Sequence, residues 1–184
     1  MPRLHLSPPS PVVWLTGLSG AGKTTVATAL KARLQHQGHA TALLDGDELR
    51  TGLCRDLGFS AADRTENTRR VSEVAKLLHE AGLVTLVALI SPFAKDREAA
   101  RDLIGPGFIE VFVDASQAVC ERRDPKGLYA RARHGGNPLM SGMGSPYEPP
   151  ETPEIRLDGT GALSVEEQVD LLMEYLHHRG YLSA

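Results

Sequence analysis

Residues 17–24 read GLSGAGKT, a full match to G-x-x-x-x-G-K-[ST], and they stand between an apolar run, Val12 to Thr16, and a stretch carrying Val26, Leu30 and Leu34 at helical spacing. Few loops constrain a chain as much as this one. Glycines at 17, 20 and 22 let backbone N–H groups turn inward around an anion, and the N-terminus of the following helix adds its dipole. Gly17, Leu18, Ser19, Gly20, Ala21, Gly22, Lys23 and Thr24 are therefore the candidates for holding the phosphates of ATP, with Lys23 reaching the β and γ oxygens. The Thr24 hydroxyl is placed to ligate Mg²⁺. Thr25 serves either helix-start packing or phosphate contact.

Strand and helix signals alternate along the remainder. Thr41 to Asp45 reads as a second strand, and Ser60 as the N-cap of a longer helix whose Val71, Val74, Ala75 and Leu78 form one stripe before Gly82 stops it. Val84 to Ile90 and Phe108 to Val113 are continuous apolar runs, the mark of strands buried on both faces. Helices are expected over Asp96 to Ile104 and Ser116 to Arg123, and Ser164 with Glu167 makes a capping box for a last amphipathic helix bearing Val165, Val169, Leu172 and Leu176. The order implies an α/β fold of the P-loop NTPase kind, a parallel central sheet with helices on both faces in three layers. Ligands then gather outside the carboxyl ends of the strands.

A chain of 184 residues is read as a single domain spanning 1–184. Its proline-rich start, 1–11, is expected to be a flexible segment, and 134–152, rich in glycine and proline and without either period, a lid loop. With a formal net charge of −3 and no basic run, the partners are expected to be small molecules, not nucleic acid or a membrane. Cys54 and Cys120 have no CxxC spacing, which fits packing roles in a reducing, cytoplasmic setting.

Asp45-Gly46-Asp47 closes the second strand and brings carboxylates to the phosphate edge of the sheet. Asp47 is the candidate for accepting the proton of an acceptor hydroxyl or holding Mg²⁺ through water, with Asp45 its neighbour in the metal shell; capping a helix that starts at Glu48 is compatible with either. A GTPase is disfavoured, because no N-K-x-D motif is present and the D-x-x-G at Asp158 to Gly161 comes too late.

Three long segments, LDGDELRTGLCRDLGFSAADRTENTRRVSEVAKL (44–77), ALISPFAKDREAARDL (88–103) and FIEVFVDASQAVCERRDPKGLYARAR (108–133), together with PYEPPETPE, closely resemble adenylylsulfate kinases over nearly the whole chain. The resemblance implies transfer of a phosphoryl group from ATP to the 3′-hydroxyl of adenosine 5′-phosphosulfate, with Mg²⁺, in sulfate activation, by a homodimer. A kinase of the same family with a different nucleotide-like acceptor, or a non-catalytic nucleotide-binding module, are the alternatives. By position it implies that Arg50, Arg64 and Asn67 grip the phosphosulfate and ribose and that Phe59 stacks on the adenine. Each also has a plainer reading, as capping, core or solvated residues. Ile90 and Ser91 of the I-S-P motif line the acceptor pocket; direct transfer is favoured over a phosphoserine at Ser91, since no base of suitable spacing stands near it. Lys126 would stabilise the transferring charge, and Arg123, Arg131 and Arg133 share its segment. The base of the ATP is expected near Gly159 to Leu163.

The lid departs from the family pattern. Met140 stands where a second adenine-stacking phenylalanine is usual, Ser141 replaces threonine, Met143 isoleucine and Gly144 an acidic residue. Methionine can lie against a purine but lacks the flat face, so stacking there weakens by about 0.5–1.5 kcal/mol.

Overall fold

The strands that the apolar runs predict form one parallel sheet. The computed structural model describes residues 9–125, 127, 129, 140–141 and 144–182, with the backbone alone at 140, 141 and 144. In chain order these are β1 (Val12–Thr16), α1 (Lys23–His36), β2 (Thr41–Asp45), α2 (Gly46–Leu49), α3 (Ala61–Glu80), β3 (Val84–Ala88), α4 (Ala94–Ile104), β4 (Phe108–Asp114), α5 (Gln117–Arg123), β5 (Met140–Ser141), β6 (Gly144–Ser145), β7 (Ile155–Asp158) and α6 (Val165–His178). The sheet order is β2-β3-β1-β4-β7, every pairing parallel, while β5 and β6 pair apart from it.

Strand periodicity divides the core in two. Val13 and Leu15 of β1 face one way, into a cluster with Val26, Leu30 and Leu34 of α1 and Val169, Leu172 and Leu176 of α6. Val12 and Trp14 face the other way, into a cluster with Val71 and Ala75 of α3 and Ala100 and Ile104 of α4. Helices therefore cover both faces, which is the expected three-layer arrangement.

Capping chemistry sets the helix ends. Ser60 and Asp63 form a reciprocal capping box at α3, as do Ser164 and Glu167 at α6. After α3, Gly82 takes φ +84, the left-handed conformation that lets the chain turn straight into β3.

One expectation needs correction. Asp47 is not a cap: α2 begins at Gly46 and its N-cap is Asp45, whose Oδ1 accepts from the Asp47 N–H at 2.9 Å, because the extended backbone a cap needs ends with the strand. Within the 1–11 segment, Pro11 is buried and its carbonyl accepts from Thr85 N at 2.9 Å, while Ser10 O meets His79 Nδ1. The last part of the 134–152 loop is fastened to the domain: Glu148 N donates to Pro92 O and the Ala94 N–H to Glu148 Oε2. Residues 1–8, 130–139 and 142–143, Lys126 and the side chain of Met140 lie outside the described residues, and with them Arg131, Arg133 and Met143.

Candidate active site

At the carboxyl ends of the strands lies a cavity of about 960 Å³, lined by the 19–26 turn, Asp45 to Asp47, Arg50, Phe59, Arg64, Asn67, Ile90, Ser91, Arg123 and the 158–168 loop. The widely separated segments singled out in the sequence thus meet in one place.

The glycine loop is held in shape before it could hold anything else. Gly17 has φ +146 and its α-carbon faces the Val113 carbonyl so closely that a β-carbon would stand 2.6 Å from that oxygen. Any side chain there would push β1 off β4. Lys23 Nζ donates across the loop to the carbonyls of Gly17 (2.9 Å) and Leu18 (2.8 Å). Tyr129, absent from the sequence-level site, is buried and donates its hydroxyl to Ser19 O at 3.0 Å, and Arg123 reaches Ala21 O at 3.4 Å. Thr25 is exposed on the cavity wall.

One carboxylate joins the two halves of the site. Asp45 Oδ2 accepts from Thr24 Oγ1 at 2.6 Å while its other oxygen caps α2. Hydroxyl and carboxylate are hard oxygen donors, the set that suits Mg²⁺ beside a polyphosphate. Asp47 follows in the first turn of α2 and lines the same cavity.

In the same cavity, the 50–67 segment builds an aromatic and cationic wall. Phe59 is 44% exposed, so it is no core residue. The Arg50 guanidinium lies 4.4 Å from its ring centroid and that of Arg64 5.8 Å. Arg50 is braced on the carbonyls of Leu57 and Gly58, and Arg64 Nε on that of Phe59, so backbone oxygens aim both forks. Burial lowers the Arg50 pKa; burial first, then the like charge of Arg50, lowers that of Arg64. Both remain cationic at any ordinary pH. Two guanidiniums drawn together in partial burial form a concentrated positive field suited to an oxyanion. Asn67, one helical turn beyond Arg64, is buried, and its Oδ1 has no hydrogen-bond partner among the described residues.

The turn after β3 forms the remaining wall. Ser91 is buried and has φ +37, a region that costs a non-glycine residue about 1–3 kcal/mol. Its Oγ accepts from Trp14 Nε1 at 3.0 Å, and Ile90 O accepts from Thr16 Oγ1 at 2.7 Å. Among the described residues, no imidazole or carboxylate is hydrogen-bonded to that hydroxyl. At the far end of the cavity, Asp158 accepts from the backbone N–H groups of Thr160 and Ala162, which shapes the 158–163 loop expected to receive the base.

Comparison with known proteins agrees with this geometry. The family model for adenylylsulphate kinase matches residues 9–158. The chain belongs to that family. An adenylyl-sulfate kinase of Vibrio vulnificus is 56% identical over 173 residues, covering 94% of this chain and 83% of the relative. Another, of Clostridium acetobutylicum, is 54% identical over 165 residues, 90% and 82% of the two chains. Among solved structures, the Mycobacterium tuberculosis APS kinase in complex with AMPPNP and APS superposes with a TM-score of 0.88 at 47% identity, covering 92% of this chain and 99% of that one. Like those relatives, this adenylylsulphate kinase family member is a P-loop kinase. Among its described residues no helix is long and apolar enough to cross a membrane.

Proposed function

We infer that the chain moves the γ-phosphoryl group of ATP directly, in line, onto the 3′-hydroxyl of adenosine 5′-phosphosulfate, yielding ADP and 3′-phosphoadenosine 5′-phosphosulfate. The observation that carries this reading is the shared cavity: the glycine loop and the Arg50–Phe59–Arg64–Asn67 group line one and the same space. ATP occupies Gly17 to Thr24, with Lys23 turning to its β and γ oxygens. Arg50 and Arg64 take the phosphosulfate, whose oxygens match guanidinium forks, and the exposed face of Phe59 takes the adenine, to which Met140 of the lid would add an apolar contact. The Asn67 Oδ1 supplies an acceptor for a ribose hydroxyl. Asp47 orients the 3′-hydroxyl and receives its proton as the new bond forms. Lys126 spreads the charge that moves with the phosphoryl group. Thr24 and Asp45 would hold Mg²⁺, which when bound neutralises charge on the phosphate oxygens. Ser91, with its hydroxyl engaged by Trp14, lines the wall and carries no covalent intermediate.

Mixing purified protein with ATP, Mg²⁺ and either adenosine 5′-phosphosulfate or AMP, then identifying the product by mass, tests the reading. Turnover with the phosphosulfate alone and one added phosphoryl group at the 3′-position is the expected result; turnover with AMP alone would overturn it. The same reading carries a homodimer, which sedimentation velocity reports. It also carries a cytoplasmic location, in keeping with the free thiols of Cys54 and Cys120.

A further inference from the structure

Within β4, Glu110 is the one carboxylate in the otherwise apolar stretch FIEVFV, and it is buried. A carboxylate there must be paired. Its nearer partner, with Arg101 at 3.6 Å from Oε2, is Arg97 of α4, 3% exposed, whose Nε donates to Glu110 Oε1 at 2.7 Å. The other two arms of that guanidinium go elsewhere: one terminal nitrogen (NH1) donates to Ser91 O at 2.8 Å and the other (NH2) to Glu148 O at 2.8 Å.

Arg97 therefore ties three parts of the chain that no secondary structure connects. One is β4. Another is the turn at Ile90–Ser91 that walls the acceptor side of the cavity. The third is the root of the 134–152 loop at Tyr147–Glu148. The tie is reinforced around it, since Glu148 N donates to Pro92 O, Glu148 Oε2 receives the Ala94 N–H, and the Tyr147 hydroxyl meets Thr16 Oγ1 at 3.1 Å. Thr16 in turn holds Ile90 O, so both residues of the turn have their carbonyls clamped. None of the hydrogen-bond partners of Arg97 among the described residues lies in the glycine loop.

Stability alone does not account for a guanidinium at this point. A hydrophobic side chain of similar volume would fill the space without the cost of desolvating an ion pair. What it could not do is donate in three directions at fixed angles, which a planar fork does and an ammonium does not.

We propose that Arg97 is a positioning residue for the phosphate acceptor: it sets the strained Ser91 turn and the root of the lid loop at one fixed spacing, and so governs acceptor binding while leaving ATP binding alone. The proposal rests on the reading of the Ile90–Ser91 wall as part of the acceptor pocket. Wild-type turnover of adenosine 5′-phosphosulfate, measured alongside, decides that reading separately.

The test is steady-state kinetics of Arg97→Lys, with Arg101→Lys as control. Arg101 sits one turn further along α4 and pairs with Glu154 through both terminal nitrogens, at 2.6 and 2.9 Å; its second terminal nitrogen also lies 3.6 Å from Glu110 Oε2, so it shares that carboxylate with Arg97 while making no hydrogen bond to the Ser91 turn. Arg97→Lys is expected to raise KM for the acceptor by about tenfold or more, the loss of one or two hydrogen bonds to an ionised donor, with KM for ATP within about twofold. Arg101→Lys is expected to leave both KM values within about twofold whatever it does to the melting temperature. Equal rises in both KM values for Arg97→Lys, or an unchanged acceptor KM in a folded variant, would overturn the proposal. Should Arg97→Lys fail to fold, Tyr147→Phe removes only the hydroxyl that meets Thr16. It is expected to raise the acceptor KM about threefold with ATP unaffected, and an unchanged acceptor KM there also overturns it.

Discussion

Replacing Phe59 by leucine isolates what a flat ring contributes to acceptor binding. The side chain is 44% exposed at the cavity, so shortening it opens no buried void and leaves apolar bulk in place. Two contributions disappear. Stacking on a purine is worth about 0.5–1.5 kcal/mol beyond area burial. The guanidinium of Arg50, 4.4 Å from the ring centroid, loses a cation–π contact. That contact is worth about 0.5–1 kcal/mol at an exposed site, and it aims the fork. Together these give about 1–2.5 kcal/mol, which is about 5- to 70-fold in the acceptor dissociation constant. Titration calorimetry in the presence of a non-hydrolysable ATP analogue measures it, with the nucleotide titrated separately. The melting temperature should move by no more than about 3 °C. An acceptor constant within twofold of wild type, or a parallel loss of nucleotide affinity, would refute the stacking argument.

Three other perturbations probe the remaining parts. Lys23→Ala should lower kcat by about 100-fold or more in a coupled ADP-release assay, because a preorganised positive charge beside the transferring group is lost; near-normal turnover sinks the assignment. Ser91→Ala should keep kcat within about tenfold and lower the melting temperature by a few degrees, since the buried Trp14 Nε1 loses its acceptor. Collapse of turnover, together with label retained on wild-type protein from γ-labelled ATP, would instead establish a phosphoenzyme. Glu66 is held down from 4.5 to about 2 by hydrogen bonds from Arg69 and then Arg70. A depressed carboxylate contributes stability that is fully present above its ordinary value and is lost as pH falls through the depressed one. The melting-temperature gap between wild type and Glu66→Gln should thus be widest at neutral pH and close between about pH 4.5 and 2; a gap that ignores pH contradicts the pairing.

Much of the architecture could be read locally, and the misses share a cause. The strand Thr41–Asp45 and the caps at Ser60 and Ser164 follow from patterns within a few neighbouring residues. β7 went unseen because IRLD is short, follows a proline-rich run, and becomes a strand only by pairing in parallel with β4, a contact with no local signature. The glycine loop, Asp45 and the 50–67 segment were picked out as lining one cavity because their chemistry is written in contiguous motifs. Arg97 and Tyr129 were not, since a helix residue among charges reads as solvated and a tyrosine as packing. Glu110 in the middle of an apolar strand was the available clue, as an ion there calls for a counter-ion from another element.

Asp45 has both its oxygens committed, one to Thr24 beside the glycine loop and one to the start of the helix that carries Asp47. A residue with two such obligations cannot be tuned for one substrate in isolation. Asparagine would keep a cap and surrender the charge, whereas glutamate would keep the charge and overreach the cap. Drift at this position must move Thr24 and the start of α2 together, so a change made for one wall of the cavity reaches the other.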